Sequence, residues 1–389
     1  MPGARAPELA IVVPTLNERD NVDPLLSLVG AALGDVRWEV IFVDDDSRDG
    51  TPEHIRALAL GDSRVRCLQR IGRRGLSSAC VEGMLASGAP VLAVMDGDLQ
   101  HDEELLPRML DVLKQGNADV VVGTRYSAGG GVGQWEASRA RMSRFATRLS
   151  RYVVRADISD PMSGFFALRR EAFEAAVRQL SSIGFKILLD LVASSPAPLR
   201  ICELPYQFRT RRAGESKLDS QAVWEYLMLL VDKLVGAYVP ARFVAFAAIG
   251  GLGVAVHFVV LAALFGPLHV SFAASQTAAA LVAMTSNFAL NNALTYRDRR
   301  LRGWGWLKGW LSFTLVCSIG LLANVGIAAY LFASQTAWVL AALAGIAVGA
   351  VWNYAVTSAY TWRSRARRAV RRQTPAVAVA PRLGPTRAR

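Results

Sequence analysis

The sequence predicts an α/β domain built on a mostly parallel, Rossmann-like sheet, followed by an all-α, four-helix transmembrane domain. Three observations predict it. Through about residue 220, short apolar runs of strand length alternate with segments of helical periodicity, the pattern of a parallel sheet with right-handed crossovers. From Phe243 to Tyr360 the chain is almost wholly apolar, in four blocks that each approach the ~20 residues needed to cross a bilayer. The averages of 52% hydrophobic and 20% charged residues over 389 positions conceal these two unlike halves, and the net charge of +12 collects largely beside the apolar blocks. Charge so placed points to anionic lipid and phosphate ligands. Nucleic acid is not expected as a partner, because no recognition-helix or base-stacking pattern is present.

The expected divisions are a soluble domain over 1–218, interfacial amphipathic helices over 219–240, the membrane domain over 241–362 and a basic, disordered tail over 363–389. Cys67, Cys80, Cys202 and Cys317 are scattered without metal spacing, as reduced thiols of a cytosolic domain would be. The first apolar run, Leu9–Val13, is short and broken by Pro14, so no signal peptide is expected and the soluble half should stay in the cytoplasm.

Leu9-Ala-Ile-Val-Val-Pro14 reads as a buried strand with Thr15–Glu18 as the loop at its end, and Asn21–Leu33 has helical spacing. Trp38–Val43 is a second strand ending in Asp44-Asp45-Asp46-Ser47; Asp49-Gly50 turns the chain, and Thr51 is expected to cap the next helix with Glu53 near its start. Val65–Gln69, Val91–Met95 and Asp119–Gly123 are further strands, each finishing in polar residues. Ligands gather at such carboxyl ends in open α/β sheets.

The Val91 strand delivers Asp96-Gly97-Asp98 and then Gln100. Carboxylates at i and i+2 of an extended segment share a side, and Gly97 lets the backbone approach a ligand. Two such oxygens with a nearby amide suit a hard divalent cation that keeps waters and bridges phosphates; a solvated turn is the other reading of the tripeptide alone.

Three signatures coincide here in order: Val13-Pro-Thr-Leu-Asn-Glu18, Val43-Asp-Asp-Asp-Ser-x-Asp-Gly-Thr51 and Met95-Asp-Gly-Asp-Leu-Gln-His101. Together they resemble the family 2 glycosyltransferases of GT-A fold, and more narrowly the polyprenyl-phosphate (dolichyl-phosphate) mannose synthases and their glucosyl relatives, over roughly residues 8–220. The resemblance implies that Pro14, Leu16 and Glu18 hold the nucleotide and that Val43 and Asp45 receive base and ribose. It assigns Asp96, Gly97, Asp98 and Gln100 to a divalent metal, Mg²⁺ or Mn²⁺, and the donor diphosphate. His101 either joins that site or is a satisfied loop histidine.

By the same resemblance, Arg125, Arg139 and Ser143 grip the lipid phosphate, and Arg211 and Lys217 clamp the donor diphosphate. Guanidinium forks fit phosphate oxygens, and cations stabilise a leaving diphosphate, so the residue types suit the roles. A solvated basic helix is the other reading for Arg139 and Ser143, and a polar linker for Arg211–Lys217. Asp160-Pro-Met-Ser-Gly-Phe-Phe166 resembles the acceptor-side loop, with a purely structural role open for Asp160. Ile183–Asp190 reads as a helix beneath the site, on which Lys186 could simply be exposed.

An acceptor phosphate is already an anion, so no strong general base is required, and none of the four histidines sits in a convincing base position. The expected reaction is displacement at the anomeric carbon with inversion, with Asp98, Arg125 and Arg139 as the central residues. The expected partners are a nucleotide sugar, GDP-mannose ahead of UDP-glucose, and a polyprenyl phosphate. A processive polysaccharide synthase would need a Gln-x-x-Arg-Trp-like motif, which is absent, and a lipid-linked sugar flippase would not need the Asp-Gly-Asp and Arg/Lys clamp.

Ser220–Tyr238 gathers Trp224, Leu227, Met228, Val231, Leu234, Val235 and Tyr238 on one side, as a helix lying in the headgroups would. Four spans are expected near Phe243–Phe265, Ala273–Leu294, Leu311–Phe332 and Trp338–Tyr360. The loop Tyr296–Lys308 and the tail from Arg363 are basic and the other two loops are not, which puts both termini and the central loop in the cytosol. Asn287-Phe-Ala-Leu-Asn-Asn-Ala-Leu-Thr-Tyr-Arg297 parallels Asn353-Tyr-Ala-Val-Thr-Ser-Ala-Tyr-Thr-Trp-Arg363, so the unit is a repeated hairpin, and it resembles the GtrA-type membrane domain. Asn287, Asn291, Asn324 and Asn353 are expected to face the bundle interior and bond across helices.

Overall fold

A computed structural model of the chain describes residues 6–126, 158–181, 184, 186–209, 220–236 and 238–363. The chain divides into two units, Met1–Ala241 and Arg242–Arg389.

In the first unit, β1 (Leu9–Thr15), β2 (Trp38–Asp44), β3 (Val65–Gln69), β4 (Val91–Val94), β5 (Val120–Thr124), β6 (Phe166–Arg169) and β7 (Ile201–Pro205) form one sheet in the order β3-β2-β1-β4-β6-β5-β7. β6 runs antiparallel to β4 and β5, and the remaining pairs are parallel. The architecture is therefore GT-A-like and mostly parallel. Successive residues of β1 face opposite layers: Ile11 and Val13 pack with α1 (Arg19–Leu33) and α4 (Leu105–Lys114), and Ala10 and Val12 with α3 (Leu76–Ala86). Both faces are covered, which is why the strands read as continuous apolar runs. Each buried Val, Ile or Phe contributes about 1.5–3 kcal/mol.

The order of elements changes direction at β1, which lies between β2 and β4, so the loops after these three strands open one crevice at their carboxyl ends. Two local details differ from expectation. α2 (Thr51–Gly61) is capped by Asp49, whose Oδ1 accepts from Thr51 N at 3.0 Å, while the Thr51 hydroxyl is turned to Asp49 and to Glu18 N. Gly50, at φ 87°, turns the chain so that the aspartate one residue earlier reaches the first turn. β4 also ends at Val94, so Asp96 and Asp98 sit on a turn with Leu99 at φ 62°, not on an extended segment.

α5 (Arg170–Ala176), α6 (Ile187–Ser194) and α7 (Ser220–Val235) complete the unit. α7 buries Tyr226, Leu229 and Leu230 in the core and sets Lys233 Nζ against the buried Asp190 at 2.5 Å. Leu227, Leu234 and Val235 remain exposed on its other side, as does Tyr238 beyond its end. The helix is thus two-faced: one stripe belongs to the core of the first unit and the other is apolar and uncovered within it.

The second unit holds α8 (Ala241–Phe265), α9 (Phe272–Leu290), α10 (Trp304–Ala333) and α11 (Trp338–Tyr360). Among the described residues three segments, Ala241–Phe265, Trp304–Ala333 and Val339–Tyr360, are long and apolar enough to cross a membrane. α9 continues through a π turn, Asn291–Thr295, and carries Ser275, Gln276, Thr277, Thr285, Ser286 and Asn287, which make it more polar than the other three helices.

The sequence repeat is visible as packing. A Cβ on Gly253 would fall 2.3 Å from Asn287 Oδ1, and one on Gly320 would fall 2.1 Å from Asn353 Oδ1. Each asparagine of the repeat therefore presses on a backbone that only glycine leaves open. The expected bonds across helices are not what these amides make: the buried Oδ1 atoms of Asn287, Asn291 and Asn353 have no donor among the described residues, and Asn291 Nδ2 donates within its own helix to Asn287 O. The glycines let the helices approach closely at these positions. The last aromatic of each repeat, Tyr296 and Trp362, stack on one another with centroids 4.1 Å apart and planes 5° from parallel. Asn292, overlooked in the sequence, locks this end: its Oδ1 accepts from Leu301 N and Trp362 Nε1, and its Nδ2 donates to Leu301 O.

Candidate active site

Four strand ends supply the side chains. At the end of β1 Pro14 is half-buried, as is Leu16 just beyond it, and Glu18 accepts from Asn21 Nδ2 at 2.7 Å. After β2, Asp44 is fully buried and accepts from the Ser47 hydroxyl and backbone N, holding the turn. Val43 is also fully buried in the core, so this position presents backbone, not side chain, to the crevice.

Asp45, the middle member of the acidic run, is buried and tied to the loop before α3. Its Oδ2 accepts from Gly75 N at 2.7 Å, and Arg70 Nη1 lies 2.9 Å from Oδ1. Burial raises its carboxyl above the ordinary range, while the Gly75 bond and the Arg70 charge work against that rise. Arg70 itself is buried and donates to Gly75 O and Ser78 Oγ, so the start of α3 is tied to the end of β2.

After β4, Asp96 keeps 36% of its side chain exposed, and its Oδ2 is 3.2 Å from His101 Nε2. Gly164 lies directly behind it: a Cβ there would come within 2.7 Å of Asp96 Oδ2. Burial pushes the Asp96 carboxyl up, but the His101 hydrogen bond and the nearby Lys186 and Arg125 charges outweigh it and hold the group below its usual value. Asp98 is more enclosed, and its Oδ1 accepts from Gln100 N at 3.2 Å. Gln100 Nε2 donates to Arg209 O, and Arg209 N returns a bond to Gln100 O. Gly97 faces β1, where a Cβ would meet Val13 Cγ1 at 3.3 Å, so its smallness serves packing on the sheet.

His101 is a buried member of the site. Its Nδ1 is 2.8 Å from Tyr206 Oη, and its ring packs against Phe165, Tyr206 and Phe208 at centroid distances of 5.1, 5.8 and 5.6 Å.

After β5, Arg125 extends over Phe208 and offers Nε and Nη2 to the fully buried Asp160 at 2.7 and 2.9 Å. Burial works against the guanidinium charge, yet the paired Asp160 bonds raise its pKa above the ordinary arginine value. One edge of the fork is thus spent on holding Arg125 in place. Lys186, at the start of α6, is not exposed: its Nζ donates to Met162 O at 3.0 Å. Burial and the Arg125 charge bring its ammonium down to about 8, with Asp160 and Asp96 pulling the other way.

Asp96, Asp98, Arg125, Asp160, Lys186 and Tyr206 are electrostatic neighbours in this arrangement, so the acidic and basic motifs meet. Arg139, Ser143, Arg211 and Lys217 lie outside the described residues. Sequence reasoning missed Tyr206, which follows β7 directly, and the Arg125–Asp160 fork. The rule that strands finish at the site would have found the first; the second needs the fold. Among the described residues no three His, Cys, Asp or Glu side chains form a metal cage. Two carboxylates on one loop, one of them open to the crevice, instead fit a cation that keeps part of its coordination for water and a diphosphate.

Residues 10–176 match the family described as glycosyl transferase family 2, and residues 245–362 match the GtrA/DPMS transmembrane domain. The chain is similar to the dolichol-phosphate mannosyltransferase of Pyrococcus furiosus, with 32% identity over 357 residues, 91% of this chain and 99% of that protein. It is 38% identical over 234 residues to the dolichol-phosphate mannosyltransferase of Mycosarcoma maydis, covering 58% of this chain and 79% of that one. Among solved structures, glucosyl-3-phosphoglycerate synthase from Mycobacterium tuberculosis with Mn²⁺, uridine-diphosphate and phosphoglyceric acid superposes with a TM-score of 0.44 at 18% identity, covering 59% of this chain and 78% of that chain.

Proposed function

The chain belongs to glycosyl transferase family 2 and carries a GtrA/DPMS transmembrane domain behind the catalytic one, and from that premise we propose that it transfers mannose from GDP-mannose to a polyprenyl (dolichyl) phosphate at the cytosolic membrane face. The observation that carries this reading is the likeness to the Pyrococcus furiosus enzyme, which extends over 99% of that relative and so takes in both domains.

The proposed mechanism is a single displacement with inversion at the anomeric carbon. Asp96 and Asp98, with the Gln100 amide, would hold Mg²⁺ or Mn²⁺; when bound, the ion supplies positive charge to the departing diphosphate. Asp45 accepts hydrogen bonds from the nucleoside, and Pro14, Leu16 and Glu18 line its other side. Arg125 is pre-aimed by Asp160, so it lends charge and direction to the acceptor phosphate without an entropic cost of ordering at the moment of reaction. Arg139 and Ser143 add donors to that phosphate, and Arg211 and Lys217 hold the leaving diphosphate. The acceptor oxygen is already anionic, so His101 does not act as a base.

The chain is a membrane protein. Four spans, with α9 and its π turn as the second, put both termini and the arginines 297–302 in the cytosol. The outward apolar stripe of α7 lies in the headgroup layer in this reading.

The test is to incubate membranes containing the full chain with labelled GDP-mannose or UDP-glucose and extract the lipid. Label in polyprenyl phosphate from GDP-mannose is the expected outcome. Label only from UDP-glucose makes the chain a glucosyltransferase, and lipid label from neither, with both substrates supplied in detergent, removes the transfer reading.

A further inference from the structure

Resting on the proposed metal-dependent transfer, we propose that Tyr206 and His101 form a positioning dyad that fixes the Asp96 carboxylate in the single orientation a cation can use. The geometry is a chain of three groups. Tyr206 Oη lies 2.8 Å from His101 Nδ1, and His101 Nε2 lies 3.2 Å from Asp96 Oδ2. A carboxylate only accepts, so Nε2 carries the hydrogen toward Asp96, and in the neutral ring Nδ1 then accepts from the tyrosine hydroxyl. Every donor in the chain is matched by an acceptor, which sets one tautomer and one direction.

The ring cannot rotate away. His101 is 3% exposed and is wedged by Phe165, Tyr206 and Phe208, each within 5.8 Å of its centroid. Asp96 is held from the other side as well, because its Oδ2 occupies the space in front of Gly164. With Oδ2 committed to His101, Oδ1 carries no donor among the described residues. Asp96 is therefore presented to a cation through one defined oxygen. Tyr206 follows β7 directly, and its backbone N donates to Thr124 O at 3.1 Å at the end of the neighbouring β5. Tyr206 thus makes the metal loop after β4 dependent on the register of β7, which is 105 residues away in sequence.

Outer partners that orient a metal ligand are worth about 10–100-fold in metal affinity. The test measures Mn²⁺ binding to the full-length chain in detergent, with GDP present, from the free-ion electron paramagnetic resonance signal. His101→Gln places an amide N–H where Nε2 was, and His101→Asn places one where Nδ1 was. The expected result is a Kd raised about 10–100-fold in His101→Asn, a much smaller rise in His101→Gln, and an intermediate one in Tyr206→Phe, which keeps the ring and deletes only the hydroxyl. A packing role alone would rank the two amides alike. Equal Mn²⁺ affinities for His101→Asn and His101→Gln, or a wild-type Kd in Tyr206→Phe, overturn the proposal. A wild-type chain that binds no Mn²⁺ above the level of Asp98→Ala overturns the metal-centred reading itself, and the dyad with it.

Discussion

Asp160→Asn removes the charge around which Arg125 is folded. In the site, the Asp160 carboxylate is fully buried and takes both Nε and Nη2 of a guanidinium that is only 10% exposed. Asparagine keeps the volume and one acceptor oxygen, so the packing of the 158–165 loop should survive. What disappears is one charge-assisted bond and the countercharge. Deleting one partner of a buried ion pair costs about 3–5 kcal/mol, which over a soluble unit of this size lowers the thermal midpoint by about 6–20 °C. Tryptophan fluorescence of the full chain during heating in detergent measures it. The paired variant Arg125→Met with Asp160→Leu separates the two roles of the fork. With both charges gone the midpoint should largely recover, because a buried pair replaced by apolar groups of similar size is close to neutral. Transfer to lipid should not recover, because the acceptor phosphate has lost its guanidinium. An Asp160→Asn midpoint equal to that of wild type would refute the reasoning, since it would mean the pair is solvated in solution.

Asp98→Ala should lower turnover at saturating donor and divalent metal by about 10²-fold or more; wild-type turnover would sink the metal-centred mechanism. Gly164→Ala places a methyl 2.7 Å from Asp96 Oδ2 and must displace it, so Mn²⁺ affinity should fall about 10–100-fold with little change in midpoint. Lys186 titrates near 8 in the folded chain against an ordinary value of 10.5. Its charge is shed above about 8, so transfer should decline as pH rises through that value, and Lys186→Met should remove that alkaline limb. The folded chain also binds fewer protons than the unfolded one between about 8 and 10.5, so this group's contribution makes the wild type gain stability with rising pH in that window, while Lys186→Met does not. In the membrane unit, Asn292→Ala deletes an acceptor for Leu301 N and Trp362 Nε1 and a donor to Leu301 O. Each buried group left unpaired costs about 1–3 kcal/mol, so trypsin should cut faster at the arginines 297–302.

Much of the molecule follows from the order of residues alone. Apolar runs of strand length had to be buried, and their polar ends had to lie at one edge of a parallel sheet, because crossovers have one hand. Asp45, Asp96, Asp98 and Arg125 could thus be assigned to one crevice from strand ends and motif, and the Asn287 and Asn353 repeats match each other in the sequence alone. Those inferences are local: they need only chain direction and burial.

Contacts between distant segments belong to the tertiary structure. No spacing rule relates Tyr206 to His101, Asp160 to Arg125, or Trp362 to Tyr296, because each pair is made by strands or helices that meet only after folding. Nor does a sequence record how far a side chain is desolvated, and it is desolvation that brings Lys186 down to about 8 and turns the lone polar groups around Asp96 into fixed partners. The sequence chose which charges meet. The fold chose which atoms they present to one another, since a carboxylate's direction depends on neighbours that the chain supplies from elsewhere.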